Sequence, residues 1–346
     1  MKKLFLPSLI IAGAVSATIA SANAKNLAGY TITQFKADHR PLPMNVHIWY
    51  PAKSDGEEVR IGKNAVFIGD MVRAGATPKS GKHPVILLSH GSGGNAAGIS
   101  WIASELATHG IIVVAPNHPG TTSGDSSALN TVKTWERPMD LSGLIDELGH
   151  YLPANIEYDA EKIGAVGFSL GGYSVLASAG VRANVASYSS YCDRNVGKLD
   201  CGWLVRGGVD FSKIDKPRFE QSHFDKRIKL VSAIDPGLVA AFTQDSMKKI
   251  NIPIQIVNMG DSADVPEGIN GQKTASQIIG TDYVQVKQAS HFSFLSVCTK
   301  KGEFILKDTN DDPVCTDPGG RSREDIHKEI AEKITNFIIK TFKIKM

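Results

Sequence analysis

The sequence predicts an α/β fold, a mostly parallel central sheet with helices on both faces, and three features carry that prediction. Continuous apolar runs of strand length, PVILLSH at 84–90 and IIVVA at 111–115, flank Ile99, Ile102, Ala103 and Leu106 at helical spacing. That is the pattern of a strand, a crossover helix and a parallel strand buried on both faces. Further apolar runs at 162–168, 228–234, 252–257 and 283–287 continue the alternation. Between the run at 162–168 and a small-residue helix at 172–181 stands Gly167-Phe168-Ser169-Leu170-Gly171, a G-x-S-x-G turn in the strand-to-helix context of a nucleophile elbow.

From the N-terminus, residues 1–24 have the layout of an export signal: Lys2 and Lys3, an apolar stretch at 4–20, then Ala22-Asn23-Ala24 as a small-residue cleavage site. Pro7, Ser8, Gly13, Ser16 and Thr18 make that stretch a poor membrane span, and it holds no cysteine for a lipid anchor. Cleavage after Ala24, a periplasmic or secreted location and no stable membrane anchor are expected. Removing 24 of 346 residues leaves 322, read as one domain over 25–346. Loss of Lys2 and Lys3 lowers 38 basic residues to 36 against 35 acidic ones, a balance that offers no footprint for nucleic acid.

Residues 30–35 and 44–50 are extended and partly alternating, an antiparallel edge leading into the sheet. Residues 54–82, rich in Gly, Lys and Asp, read as a long surface excursion, and 117–133 as a polar loop before helix-spaced Leu141, Leu144, Ile145 and Leu148. From 187 to 227 the alternation lapses, and this stretch reads as an inserted cap or lid. A terminal helix capped by Ser322 and Asp325 carries Ile326, Ile330, Ile334, Phe337 and Ile338 on one face. Four cysteines in an exported chain predict two disulfides, Cys192 with Cys201 and Cys298 with Cys315, each joining nearest neighbours across a polar loop. Neither pair has C-x-x-C spacing, so no metal is expected.

A serine hydroxyl is a weak nucleophile until a base takes its proton and a carboxylate orients that base. In hydrolases with this elbow the acid and the histidine follow the serine on loops after later strands. His291, just past the run at 283–287, fits the base; His223 falls in the insertion and His327 on what reads as the exposed side of the terminal helix. Asp235, ending the run at 228–234, and Asp264, following the run at 252–257, compete for the acid, with Asp261 a weaker third. Donors for an oxyanion are expected from the backbone N–H of Leu170, after the nucleophile, and of Ser92 in the loop His90-Gly91-Ser92-Gly93-Gly94. His90 itself reads as a residue that holds this loop in shape.

The ordered set Trp49-Tyr50-Pro51, Ser89-His90-Gly91-Ser92-Gly93-Gly94, Asn117-His118-Pro119-Gly120, Glu136-Arg137-Pro138-Met139-Asp140, Gly167-Phe168-Ser169-Leu170-Gly171-Gly172 and His291-Phe292-Ser293-Phe294-Leu295 resembles the bacterial predicted dienelactone hydrolase family, related to platelet-activating-factor acetylhydrolases. The resemblance spans nearly all of the chain after residue 24. It implies an α/β-hydrolase fold, a Ser-Asp-His triad and hydrolysis of carboxylic esters without a cofactor, on small-molecule or lipid-like substrates with short to medium acyl chains. Dienelactone hydrolases proper use a cysteine nucleophile, and Ser169 here turns the expectation away from dienelactone. The same resemblance places the acid at Asp264, on the turn after the penultimate strand as in most serine hydrolases of this fold, while the acetylhydrolases favour Asp235. Acyl transfer to another acceptor would use the same residues. A catalytically silent binding protein would have lost the nucleophile, the base or the oxyanion glycines, and the sequence keeps all of them.

Overall fold

The computed structural model describes residues 26–345 apart from Ser262, Asp264, Asn310 and Asp311; the export signal expected at 1–24 lies outside the described residues. Ten strands form one sheet: β1 Gly29–Phe35, β2 Met44–Tyr50, β3 Glu57–Ile61, β4 Asp70–Ala74, β5 Lys82–Ser89, β6 Ile112–Pro116, β7 Glu157–Phe168, β8 Ile228–Ile234, β9 Ile254–Met259 and β10 Asp282–Val286. Their lateral order is β10-β9-β8-β7-β5-β6-β2-β1-β4-β3. From β10 to β6 all pairings are parallel, and β2 then joins β6 antiparallel.

The pleat explains why the central strands are apolar throughout. Along β5, Ile86 and Leu88 enter one core while Val85 and Leu87 enter the other; along β7, Val166 and Phe168 face the first and Ile163 and Ala165 the second. The first core is closed by Ile102, Ala103 and Leu106 of the helix Ser100–Thr108 and by Ile326, Ile330, Ile334 and Ile338 of the terminal helix Arg323–Phe342. The second is closed by Leu141, Leu144 and Ile145 of Glu136–Asp146 and by Val175 and Leu176 of the elbow helix Leu170–Ser178.

The stretch 54–82 departs from expectation. It holds β3 and β4, an antiparallel hairpin that extends the sheet through parallel contacts of β4 with β1. Within 187–227 lie the rest of the helix Val185–Arg194, then Leu199–Arg206 and Lys216–Glu220. Tyr188, Tyr191, Cys192, Cys201, Leu204 and Phe219 from this segment form a third cluster with Leu170, Tyr173, Trp135 and Leu238 beside the elbow. Cys192 is bonded to Cys201 and Cys298 to Cys315, the pairs the sequence predicted.

Strand register decides what meets at the carboxyl edge. Phe168 of β7 pairs with Ile234 of β8, and Ile234 pairs with Val257 of β9. The next residue of each strand, Ser169, Asp235 and Asn258, is therefore carried to one line at the end of the sheet.

Candidate active site

Ser169 sits at φ 58° and ψ −120°, outside the regions open to ordinary side chains, immediately before the elbow helix. Surrounding backbone holds it there: its N–H donates to Ile234 O (2.9 Å), and its carbonyl accepts from Gly237 N (2.8 Å) and Tyr173 N (3.2 Å). The two motif glycines are steric requirements. A Cβ at Gly167 would lie 2.2 Å from Gly171 O, and one at Gly171 would lie 1.9 Å from Ser89 O.

His291 begins a short helical turn, His291–Phe294, and reaches Ser169 Oγ through Nε2 at 3.2 Å. Its Nδ1 lies 3.0 Å from Asp235 Oδ2. Because a carboxylate only accepts, Nδ1 carries the proton and Nε2 is the lone pair facing the serine. Asp235 is fully buried, at φ 41°, and its other oxygen, Oδ1, accepts from Asn258 Nδ2 (2.8 Å) and Met259 N (2.9 Å). The expected acid, Asp264, lies outside the described residues. The carboxylate at His291 is that of Asp235, the alternative in the sequence reading, carried there at the end of β8, the neighbour of the elbow strand.

The expected oxyanion donors are the backbone N–H groups of Leu170 and Ser92. Leu170 opens the elbow helix, so its N–H is among the first-turn groups that a helix leaves without an internal partner, at the positive end of the helix dipole. Gly91 packs so closely on Ser169 that a Cβ there would lie 3.1 Å from Ser169 Cβ, which brings the Gly91–Ser92 peptide to the nucleophile. Ser92 Oγ is 3.0 Å from Thr131 Oγ1. The carbonyl of that peptide, Gly91 O, accepts from His90 Nδ1 at 2.7 Å. The proton must be on Nδ1, since Nε2 of His90 accepts from the backbone N–H of His118 at 3.2 Å.

Beneath this loop lies a buried polar layer formed by the otherwise unexplained motifs at 117–120 and 136–140. Arg137, 1 % exposed, donates to His90 O, to Ser89 Oγ (3.2 Å), to Thr121 Oγ1 (2.6 Å) and to Ser174 Oγ (3.1 Å). Burial lowers its guanidinium to about 9. Asp140 accepts from Arg40 through Nε (2.8 Å) and Nη2 (2.6 Å), from His118 Nδ1 (2.7 Å) and from His39 Nε2 (2.8 Å). Burial opposes its charge, but these donors, Arg40 foremost, hold the carboxyl well below the usual range. His118 is pushed down to about 3 by burial and then by the nearby Arg137 cation, so it stays neutral and accepts from Ser89 Oγ at 3.0 Å.

The turn bearing His291 is held from behind at four successive carbonyls. Ser293 O and Leu295 O accept from His327 Nε2 (2.9 and 3.1 Å), Phe294 O from Trp101 Nε1 (2.8 Å), and Ser296 O from Arg323 Nη1 (3.2 Å). His327 was expected on the exposed side of the terminal helix; it is buried and stacked on Trp101 with ring centroids 3.9 Å apart. Its burial against this turn lowers its pKa to about 4. Two further residues the sequence reading missed, Asn258 and Arg137, had one signal in common: a polar residue at the end of an apolar run or inside a helix otherwise patterned for burial. Among the described residues no group of three or more His, Cys, Asp or Glu side chains is placed to hold a metal ion. No helix among them is long and apolar enough to cross a membrane.

Residues 66–190 match the family model described as Chlorophyllase. No curated protein matches the chain. Among solved structures, the chain is similar to a ferulic acid esterase from Streptomyces cinnamoneus, 18% identical with a TM-score of 0.59, over 93% of this chain and 92% of that one. The fold is that of the α/β-hydrolases. A puromycin-hydrolysing peptidase from Mycobacterium tuberculosis is 11% identical with a TM-score of 0.50, over 91% of this chain and 40% of that one. A dienelactone hydrolase from Anabaena variabilis is 13% identical with a TM-score of 0.49, over 90% and 98% of the two chains.

Proposed function

We propose that this protein is a serine esterase that hydrolyses carboxylic esters through an acyl-enzyme. The observation that carries the reading is the continuous hydrogen-bonded line Ser169 Oγ, His291 Nε2, His291 Nδ1, Asp235 Oδ2, at 3.2 and 3.0 Å, beginning at a strained serine on a helix N-terminus. Ser169 Oγ attacks the ester carbonyl while its proton passes to His291 Nε2. Asp235 keeps the imidazole in the Nδ1–H tautomer and stabilises the cation formed on it. The backbone N–H groups of Leu170 and Ser92 receive the developing oxyanion. His291 then gives its proton to the departing alkoxide, an alcohol leaves, and the same imidazole activates water to release the acid and restore the serine.

In this reading the helical segment 187–227 is a lid over one domain, 25–346, and the substrate is a small-molecule or lipid-like ester with a short or medium acyl group. The protein is exported after cleavage at Ala24, in keeping with two disulfides that persist in oxidising compartments. A fluorophosphonate probe and a panel of p-nitrophenyl esters from acetyl to palmitoyl test the proposal. Labelling at Ser169, with faster turnover of butyryl than palmitoyl esters, is expected. Folded protein that neither labels nor hydrolyses any ester would refute it, and Ser169→Ala should remove activity by roughly 10³-fold or more.

A further inference from the structure

Resting on the serine-hydrolase reading, we propose that Asn258 is a positioning residue for the triad carboxylate: its side-chain amide aims Asp235 at His291 and joins that aim to the turn on which the disulfide-closed helices rest. Asn258 is fully buried at the end of β9, one residue past the pairing of Val257 with Ile234. Its Nδ2 donates to Asp235 Oδ1 (2.8 Å) and to Ile269 O (2.9 Å). Its Oδ1 accepts from Gly271 N (2.8 Å) and from Tyr283 Oη (3.3 Å). A backbone N–H can only donate and a carbonyl can only accept, so Gly271 and Ile269 together fix which end of the amide is nitrogen. The amide cannot flip without breaking both contacts, and its N–H therefore always points at Asp235.

That constraint decides how the carboxylate is presented. Asp235 Oδ1 is occupied by Asn258 Nδ2 and Met259 N, which leaves Oδ2 alone for His291 Nδ1. Without the amide, Met259 N–H is the one donor left on Oδ1, and the carboxylate can rotate away from the imidazole. The other half of Asn258 holds the turn at 269–271. One residue earlier, Gly268 faces the segment closed by Cys192–Cys201: a Cβ there would lie 2.2 Å from Asp200 Oδ2 and 2.7 Å from Tyr191 Oη. Tyr191 Oη in turn donates to Asp200 at 3.2 Å. A single buried amide thus registers both the acid and the turn under these helices.

The test uses the full-length exported protein and two variants. Asn258→Asp keeps the shape and the acceptor for Gly271 N but replaces the donor to Asp235 by an acid; Asp235 and Tyr283 are the titratable groups facing it. Asn258→Leu removes donor and acceptor together. Fluorophosphonate labelling rate and kcat on a p-nitrophenyl ester should fall about 10- to 100-fold in both variants, with KM within about twofold of wild type. In Asn258→Asp the loss should grow as pH rises, since the protonated acid can still donate to Asp235 and the ionised one repels it. Loss of packing alone would not produce that pH dependence. If the Leu variant does not fold, the Asp variant decides alone. Wild-type protein that fails to label sinks the serine-hydrolase reading; wild type that labels alongside an Asn258→Asp variant that labels and turns over equally well sinks the positioning role. A loss confined to KM, or one independent of pH in Asn258→Asp, overturns it as well.

Discussion

Lowering the pH from 7 to 5 should cost this protein a large part of its stability, through histidines far from the nucleophile as well as near it. Burial pushes His118 down to about 3, His47 and His327 to about 4, and His90 well below the ordinary range, with the Arg137 cation adding to the effect at His90 and His118. None of the four is more than 7% exposed. Each is neutral in the folded chain, whereas in the unfolded chain each titrates near the ordinary value of about 6.5. The unfolded state therefore binds more protons between pH 6.5 and the folded values. Stability is fully present above pH 6.5 and is lost as pH falls through that window. At pH 5 His47, His118 and His327 have each withdrawn up to about 2 kcal/mol, on the order of 6 kcal/mol together, with His90 acting in the same direction, against a total of roughly 5–15 kcal/mol for a domain. Asp140, held ionised, acts in the same direction only below about pH 4. Guanidinium unfolding followed by tryptophan fluorescence at pH 8, 7, 6 and 5, with the disulfides intact, reads this directly. The midpoint should be flat above pH 7 and drop steeply below pH 6, and calorimetry in two buffers should register uptake of about four to five protons on unfolding near pH 5.5, since burial lowers His223 to about 4 as well. A midpoint unchanged between pH 7 and pH 5, or uptake of fewer than about two protons, would refute the reasoning.

Four substitutions probe the site. Asp235→Asn should leave a folded protein with kcat reduced by up to about 10⁴-fold, because the imidazole loses its tautomer and aim, while Asp264→Asn stays near wild type; the reverse pattern by turnover and melting temperature would return the acid to Asp264. Gly171→Ala drives a Cβ to within 1.9 Å of Ser89 O, a backbone atom in the sheet, and should cost at least roughly 1–3 kcal/mol in chemical denaturation together with activity. A Gly171→Ala variant of wild-type stability would mean that the elbow is looser than its geometry. Arg137→Met strips four hydrogen bonds from the layer under the oxyanion loop and should cost about 3–5 kcal/mol; an unchanged denaturation midpoint would show that this layer contributes nothing net.

What the sequence determined by itself was local. The elbow could be read because its constraint acts within five residues: Gly167 and Gly171 stand where a Cβ would strike backbone. The parallel strands could be read because burial on both faces leaves continuous apolar runs, and the disulfides because each joins cysteines 9 or 17 residues apart. His291 was legible from chain order and from the strand preceding it. Tertiary structure alone decided which carboxylate meets it. Asp235 and Asp264 both follow strands, and the choice depends on β8 lying beside the elbow strand with Phe168 opposite Ile234, a register set by pairing between residues far apart in the chain. The same holds for the hairpin of β3 and β4, whose polar composition resembles a loop because an edge strand keeps one side in water. It holds for His327, whose burial depends on Trp101 more than two hundred residues earlier, and for Asp140, whose charge is held by Arg40 a hundred residues upstream. Periodicity reports which face of a segment is apolar. It carries no record of which distant polar group will be folded against it, because that contact exists only after the chain has closed on itself.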